Sequence, residues 1–253
     1  MTPKDNPEEH CLKITTAVIK STNEYNMSTT SFRVFNGNRI KLAEKVLDKR
    51  DDSDIVLFPA GFLEFEHFSA KIVERLANRV SMILKSNKLS SIVCFGIDRS
   101  DGKDQLAVAV NSDGILAVGR KFYPTDGEKR FLNAADSFDA EEMGYKRGFE
   151  IKGRKIYMAV CYDCFGIRHK EIANPGYDII LTLAHRFHKK GEGPSGDVDF
   201  ARKGFAGASA QWECPVFGTA SFFDREVPPA WPRASIGVIK VQALKTLNTR
   251  IMN

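Results

Sequence analysis

Three residues of this 253-residue sequence stand where chain ends of apolar runs meet loops, and their types allow chemistry. Cys161 follows the buried-looking run Lys155–Val160 (KIYMAV) and opens Cys161-Tyr162-Asp163. In open α/β sheets, ligand sites gather beyond the carboxyl ends of strands, so a thiol there is well placed for reaction. A helix N-terminus and nearby backbone N–H groups would lower its pKa and later hold an oxyanion. The competing reading is a small buried apolar residue, which free cysteine often is. Lys121 closes the second strand of a hairpin, and a lysine near a cysteine favours the thiolate and the charge that develops in acyl transfer. His185 ends a further apolar run predicted to neighbour the Cys161 strand, so a Cys–His pair is a second activation route.

The elements needed to position these residues are legible as apolar runs bounded by turn signals. Strands are predicted at Leu12–Lys20, Asp54–Pro59, Ser91–Asp98, Lys155–Val160, Tyr177–Leu183, Pro215–Phe223 and Ile236–Val241. Gln105–Val110 and Ile115–Lys121 flank Asn111-Ser112-Asp113-Gly114, whose Asp-Gly suits a hairpin turn. Helices are expected at Ile40–Asp48, at Phe65–Lys88 with a stripe of Ile72, Leu76, Val80 and Leu84, after Cys161, and at Phe200–Trp212. Phe122–Glu150 reads as a long loop with one short helical piece, and Lys189–Asp197 as a second loop. Loops of that length in compact domains are often functional. Strands alternating with helices, with hairpins mixed in, call for a mixed sheet covered by helices.

Together these segments resemble the nitrilase, or carbon–nitrogen hydrolase, superfamily. The resemblance rests on Leu57-Phe58-Pro59, on Gly119-Arg120-Lys121 after the hairpin, and on Val160-Cys161-Tyr162-Asp163. Pro175-Gly176-Tyr177-Asp178, Ala201-Arg202 and Cys214-Pro215-Val216 follow in the family's order, so it spans about residues 12 to 241. It implies a four-layer α-β-β-α sandwich in a single domain, residues 1–10 being a flexible N-terminal segment, and a homodimer. It also implies a Glu–Lys–Cys triad: Cys161 as nucleophile toward a small amide or nitrile, and Lys121 with the N–H after Cys161 stabilising the tetrahedral intermediate. A thioester would then be hydrolysed or passed to another acceptor. Tyr162 and His185 would border the substrate.

One position departs from this pattern. The family's general-base glutamate should follow Pro59, and Ala60 stands there. Glu64 or Glu66, swinging in from the turn at Gly61, or Glu128, in the loop after Lys121, are the candidate replacements; each is otherwise a solvated carboxylate. Without a base, a thiol of ordinary pKa, about 8.5, is mostly protonated at neutral pH. The alternative function is therefore a catalytically degenerate relative that binds a small molecule or a partner protein. Gln211-Trp212 and Ile167-Arg168 depart as well; Arg168 and His169 would favour an anionic substrate, and Phe131, Phe138, Phe149 and Phe187 an apolar acyl group.

Composition narrows the rest. Hydrophobic residues make up 43% and charged residues 27%, the balance of a globular domain. Lys and Arg number 37 against 32 Asp and Glu, an excess too small and scattered for nucleic-acid binding. No apolar run reaches the roughly 18 residues a membrane span requires. The polar start with Pro3 and Pro7 is no secretory signal, so a cytoplasmic protein with five free thiols is expected. Cys161 and Cys164 form a C-x-x-C, but the five histidines are too dispersed to complete a zinc set, and neither metal nor cofactor is expected.

Overall fold

Apolar strand runs without polar alternation imply a sheet buried on both faces, and the computed structural model has that architecture. It describes residues 12–21, 32–50, 52–188, 200–223, 225–228, 231 and 248–252. The expected strand Ile236–Val241, the N-terminal segment 1–10 and the loop Lys189–Asp197 lie outside them.

Among the described residues, eleven strands form one mixed sheet. They are β1 (Ile14–Ser21), β2 (Ile55–Leu57), β3 (Leu63–Phe65), β4 (Ile92–Arg99), β5 (Gln105–Asn111), β6 (Gly114–Arg120), β7 (Gly148–Ile151), β8 (Arg154–Val160), β9 (Ile179–Phe187), β10 (Val216–Phe223) and β11 (Asn248–Met252). Their order is β6-β5-β4-β2-β1-β10-β9-β8-β7, with β3 added on β4 and β11 on β1. The six central strands run parallel, while β5 and β7 are antiparallel to their neighbours and β6 to β5. The carboxyl ends of β4, β6, β8 and β9 therefore share one direction. The sheet folds over so that β5 and β6 pack on β8 and β6 meets β7.

Among the described residues four α-helices complete the layers: α1 (Phe32–Asp48), α2 (Ala70–Ser86), α3 (Asp163–His169) and α4 (Ala206–Trp212). Side-chain alternation along the strands separates three apolar interfaces. Val56, Phe95 and Val108 face α1 and α2. Tyr157, Ile180 and Val216 face α3 and α4. Leu57, Cys94, Ala109, Met158 and Leu181 fill the space between the two halves. This is the α-β-β-α sandwich.

Several boundaries differ from the sequence reading. The first helix begins eight residues earlier, at Phe32, because Phe35 and Asn36 are buried against β3. The second begins at Ala70, where the Ser69 side chain accepts a hydrogen bond from the Ile72 N–H, and Leu63–Phe65 before it is a strand. The Phe122–Glu150 loop holds a 3-10 turn at Glu128–Arg130 and, at its end, β7. The fourth helix starts as a π-helical turn, Ala201–Phe205. β9 continues to Phe187, so His185 lies within a strand rather than at its end.

Candidate active site

The site is built at the carboxyl ends of β4, β6, β8 and β9, where the two halves of the sandwich meet. Cys161 follows β8 with φ +50°, a left-handed conformation that costs a non-glycine residue about 1–3 kcal/mol. The bend lifts it off the strand while its N–H still donates to the Leu183 carbonyl oxygen at 2.8 Å. Asp163, fully buried, holds the bend in place. Its Oδ2 accepts from the Val160 N–H at 2.9 Å, and its Oδ1 accepts from the Phe122 and Tyr123 N–H groups at 2.9 Å each. Asp163 thereby ties the residue after Lys121 to the residue before Cys161. Its counter-ion is the equally buried Arg147, whose Nη1 lies 2.9 Å from Oδ2.

Lys121 is completely buried. Its Nζ donates to both Glu128 oxygens at 2.7 Å and to Gln105 Oε1 at 3.0 Å. Burial opposes its positive charge, but the Cys161 sulfur and the Glu128 carboxylate together raise its pKa above the usual lysine value. Glu128 also accepts from the Thr125 N–H and the Gln105 amide. Although burial works the other way, Lys121 and these donors hold its carboxyl down at about 2. The loop glutamate after the hairpin is thus committed to Lys121 as an ionised partner.

Glu64 is not brought to the thiol. It sits on β3, opposite Asp98 of β4, with Oε1 2.8 Å from Arg186 Nη2 and its backbone clasped by the Asn36 side-chain amide. Burial pushes its pKa up to about 7 against the pull of Arg186. On its other side lies a cavity of about 480 Å³ bordered by Arg33, Arg75 and Arg79, which none of Cys161, Lys121 or His185 lines. Glu66 is exposed beside His67. Tyr162, next to Cys161 in the chain, stacks between Tyr123 and Phe165, with ring centroids at 5.8 and 4.4 Å. Arg168 is turned to the Lys203 carbonyl oxygen.

What reaches Cys161 is His185. The Cys161 N–H is bonded to Leu183, two residues before His185 on β9, and the histidine favours the thiolate of its neighbour. The ring Nε2 lies 2.7 Å from Asp98 Oδ2, which leaves Nδ1 for the sulfur. Between Thr219/Ser221 of β10 and Leu183/Arg186 of β9 the pairing slips by one residue, a bulge that places an extra residue in β9 beside His185. Bulges re-aim side chains in this way next to active sites. Burial disfavours the imidazolium, but Asp98 and the Cys161 sulfur outweigh it and push the His185 pKa up to about 10. For Cys161, burial is likewise overcome by His185 and then Lys121, and the thiol pKa is lowered. Sequence reasoning missed Asp98. The only signal was an acidic residue at the end of an otherwise apolar strand.

Ala60 occupies its expected place after β2, buried in the interface that Cys161 packs against. Beside it, Gly61 adopts φ +60°, and a Cβ there would come within 3.1 Å of Asp98 Oδ2 and 3.8 Å of the His185 ring. His185 and Asp98 therefore fill the space in front of this turn. Among the described residues no group of three or more His, Cys, Asp or Glu is arranged to hold a metal ion, and no helix is long and apolar enough to cross a membrane.

Comparison with known proteins places the fold in a structural class. No protein-family model matches the sequence, and no curated protein does. Solved structures do. An amidase of the nitrilase superfamily from Nesterenkonia is 12% identical, with a TM-score of 0.54 over 85% of this chain and 78% of its own. A carbon–nitrogen hydrolase from Helicobacter pylori is 14% identical, with a TM-score of 0.53 over 87% and 76%. A CN-hydrolase superfamily protein from Xanthomonas campestris, with an arsenic adduct in its active site, is 16% identical, with a TM-score of 0.54 over 84% and 76%. The fold is that of the nitrilase superfamily.

Proposed function

We propose that this chain is a cysteine-dependent hydrolase that cleaves the C–N bond of a small amide or nitrile through a thioester at Cys161. The observation that carries the reading is the setting of Cys161: a left-handed bend at a strand end, a thiol held toward the thiolate, and a buried lysine beside it. Thiolate is the nucleophilic form of cysteine, and a pKa lowered by neighbouring cations raises its share at neutral pH. Lys121 supplies a fixed positive charge where the tetrahedral intermediate becomes an oxyanion, and a preorganised charge in a dry site stabilises that intermediate strongly. Tyr123, Tyr162 and Phe165 offer an aromatic wall on which an acyl group can rest.

Ala60 favours the rival reading, a binding protein that has lost catalysis. Ammonia release from a panel of short primary amides and nitriles, wild type against Cys161→Ala, separates the two. The enzyme reading expects turnover that disappears in Cys161→Ala while the circular dichroism spectrum is unchanged. Turnover that survives Cys161→Ala defeats it, as does a wild type that forms no acyl adduct at Cys161 with p-nitrophenyl acetate.

A further inference from the structure

We infer that His185, oriented by Asp98, is the general base and general acid of this site, making a Cys161–His185–Asp98 relay on a scaffold whose expected glutamate position is Ala60. This rests on the proposed nucleophilic role of Cys161. Three geometric observations converge on it. The imidazole has its Nε2 2.7 Å from Asp98 Oδ2, on the strand to which the Cys161 N–H is bonded two residues earlier, at Leu183. The register slip between β9 and β10 falls at this residue, and its ring lies against Asp98 and the Gly61 turn. Asp98, almost wholly buried, directs Oδ2 to His185, and its Oδ1 has no hydrogen-bond partner among the described residues. The carboxylate is thus dedicated to one ring nitrogen. That selects the tautomer whose other nitrogen can exchange a proton with sulfur.

The other acidic candidates are occupied elsewhere. Glu128 is held by Lys121, Gln105 and Thr125, and Glu64 is paired with Arg186. In the relay, the thiol proton rests on His185 Nδ1. The sulfur attacks the amide carbon, a C–S bond forms, and the carbonyl electrons pass to oxygen beside Lys121. As the C–N bond breaks, the Nδ1 proton goes to the leaving amine. A water molecule then attacks the thioester, giving its proton to Nδ1; the C–S bond breaks, and the carboxylic acid leaves with the thiolate–imidazolium pair restored. A leaving amine is the group that needs a proton from His185, so acyl amides are the substrates this relay serves best.

The charged and titratable groups around His185 are Asp98 and Glu64 from β4 and β3, Arg186 on its own strand, and Cys161 and Lys121 across the site, with Glu128 behind Lys121. The test is the pH dependence of iodoacetamide alkylation at Cys161, read by peptide mass spectrometry with buried Cys94 and Cys164 as internal controls. Wild type, Lys121→Met, His185→Gln and Asp98→Asn are compared. Wild type should alkylate rapidly and almost independently of pH between 6 and 9. His185→Gln should lose at least about 30-fold at pH 6.5 and regain reactivity only near the ordinary thiol pKa of about 8.5. Asp98→Asn keeps the histidine and nearly the same volume, and should lose about 10-fold at pH 6.5; it decides the matter if His185→Gln does not fold. A profile unmoved in the His185 and Asp98 variants but shifted in Lys121→Met overturns the relay and leaves the nucleophile standing. A wild-type Cys161 no more reactive at pH 6.5 than Cys94 overturns the nucleophile as well.

Discussion

The imidazole Nε2 of His185 lies 2.7 Å from Oδ2 of Asp98, and the two residues are 87 positions apart in the chain. One belongs to β9 and the other to β4, so the contact crosses from one half of the sandwich to the other. Next to it runs a second crossing, Arg186 to Glu64, and Glu64 and Asp98 are themselves paired neighbours on β3 and β4. Two consecutive residues of one strand thus clamp two laterally paired residues of the opposite half. Cys161 and Lys121 repeat the pattern, one from β8 and one from the end of β6. Cys161 gains its partners only when the apolar interface between the halves is closed. Site assembly and packing of that interface are one event.

Glu64 should make stability fall as pH rises. Its folded pKa of about 7 stands above the ordinary value of 4.5. Between those two values the folded state holds more protons than the unfolded state, so rising pH drains stability, by at most about 3 kcal/mol for such a shift. Glu64→Gln keeps an oxygen for Arg186 and removes the titration. In urea denaturation at a series of pH values, the variant should match wild type near pH 4 and exceed it by about 2 kcal/mol at pH 8. A difference that stays flat across this range would show that Glu64 does not titrate as its burial implies.

Asp163 should be worth more to the fold than any single hydrogen bond. It accepts from three backbone N–H groups and pairs directly with the buried Arg147. Asp163→Ala leaves a buried guanidinium and three orphaned donors, and should cost about 3–5 kcal/mol. Combining it with Arg147→Met removes the uncompensated charge and should recover part of the loss. Thermal melts of the four proteins of this cycle read the effect; additive losses would mean that the pair is not coupled.

How far the sequence could be read follows from which interactions are local. The parallel strands announced themselves through Asp54–Pro59, Ser91–Asp98 and Tyr177–Leu183, because burial on both faces leaves no polar alternation. Cys161 and Lys121 were legible for the same reason, since each closes such a run. Glu128 was found as a residue but not in its role, because its commitment to Lys121 depends on how the Thr125–Glu128 turn folds back. Asp98 was hidden. Its meaning lies in a contact with His185 that no spacing records, created by a bulge that nothing in Ala184-His185-Arg186 signals. The early start of α1 was hidden likewise, since Asn36 is polar yet buried, its side chain satisfied by the Glu64 backbone.

The Lys121–Glu128 pair separates stability from catalysis. Both groups are largely removed from water, with side-chain exposures of 1% and 17%. Breaking such a pair from one side strands the other charge, so Lys121→Met and Glu128→Gln should each cost about 3–5 kcal/mol. Exchanging both, as Lys121→Met with Glu128→Leu, replaces a charged pair by apolar side chains of similar size, which is often neutral or better. The double variant should therefore melt closer to wild type than either single one. Its turnover should nonetheless stay low, about 10²–10³-fold down, because the cation proposed to meet the oxyanion has gone. Glu128, held at about 2, contributes stability that is fully present above its ordinary value of 4.5 and lost as pH falls toward 2. Acid titration of stability should show that loss in wild type and not in the double variant. If the double variant regained activity along with its melting temperature, Lys121 would be a structural ion holding the loop, and the oxyanion would have to be met by another group.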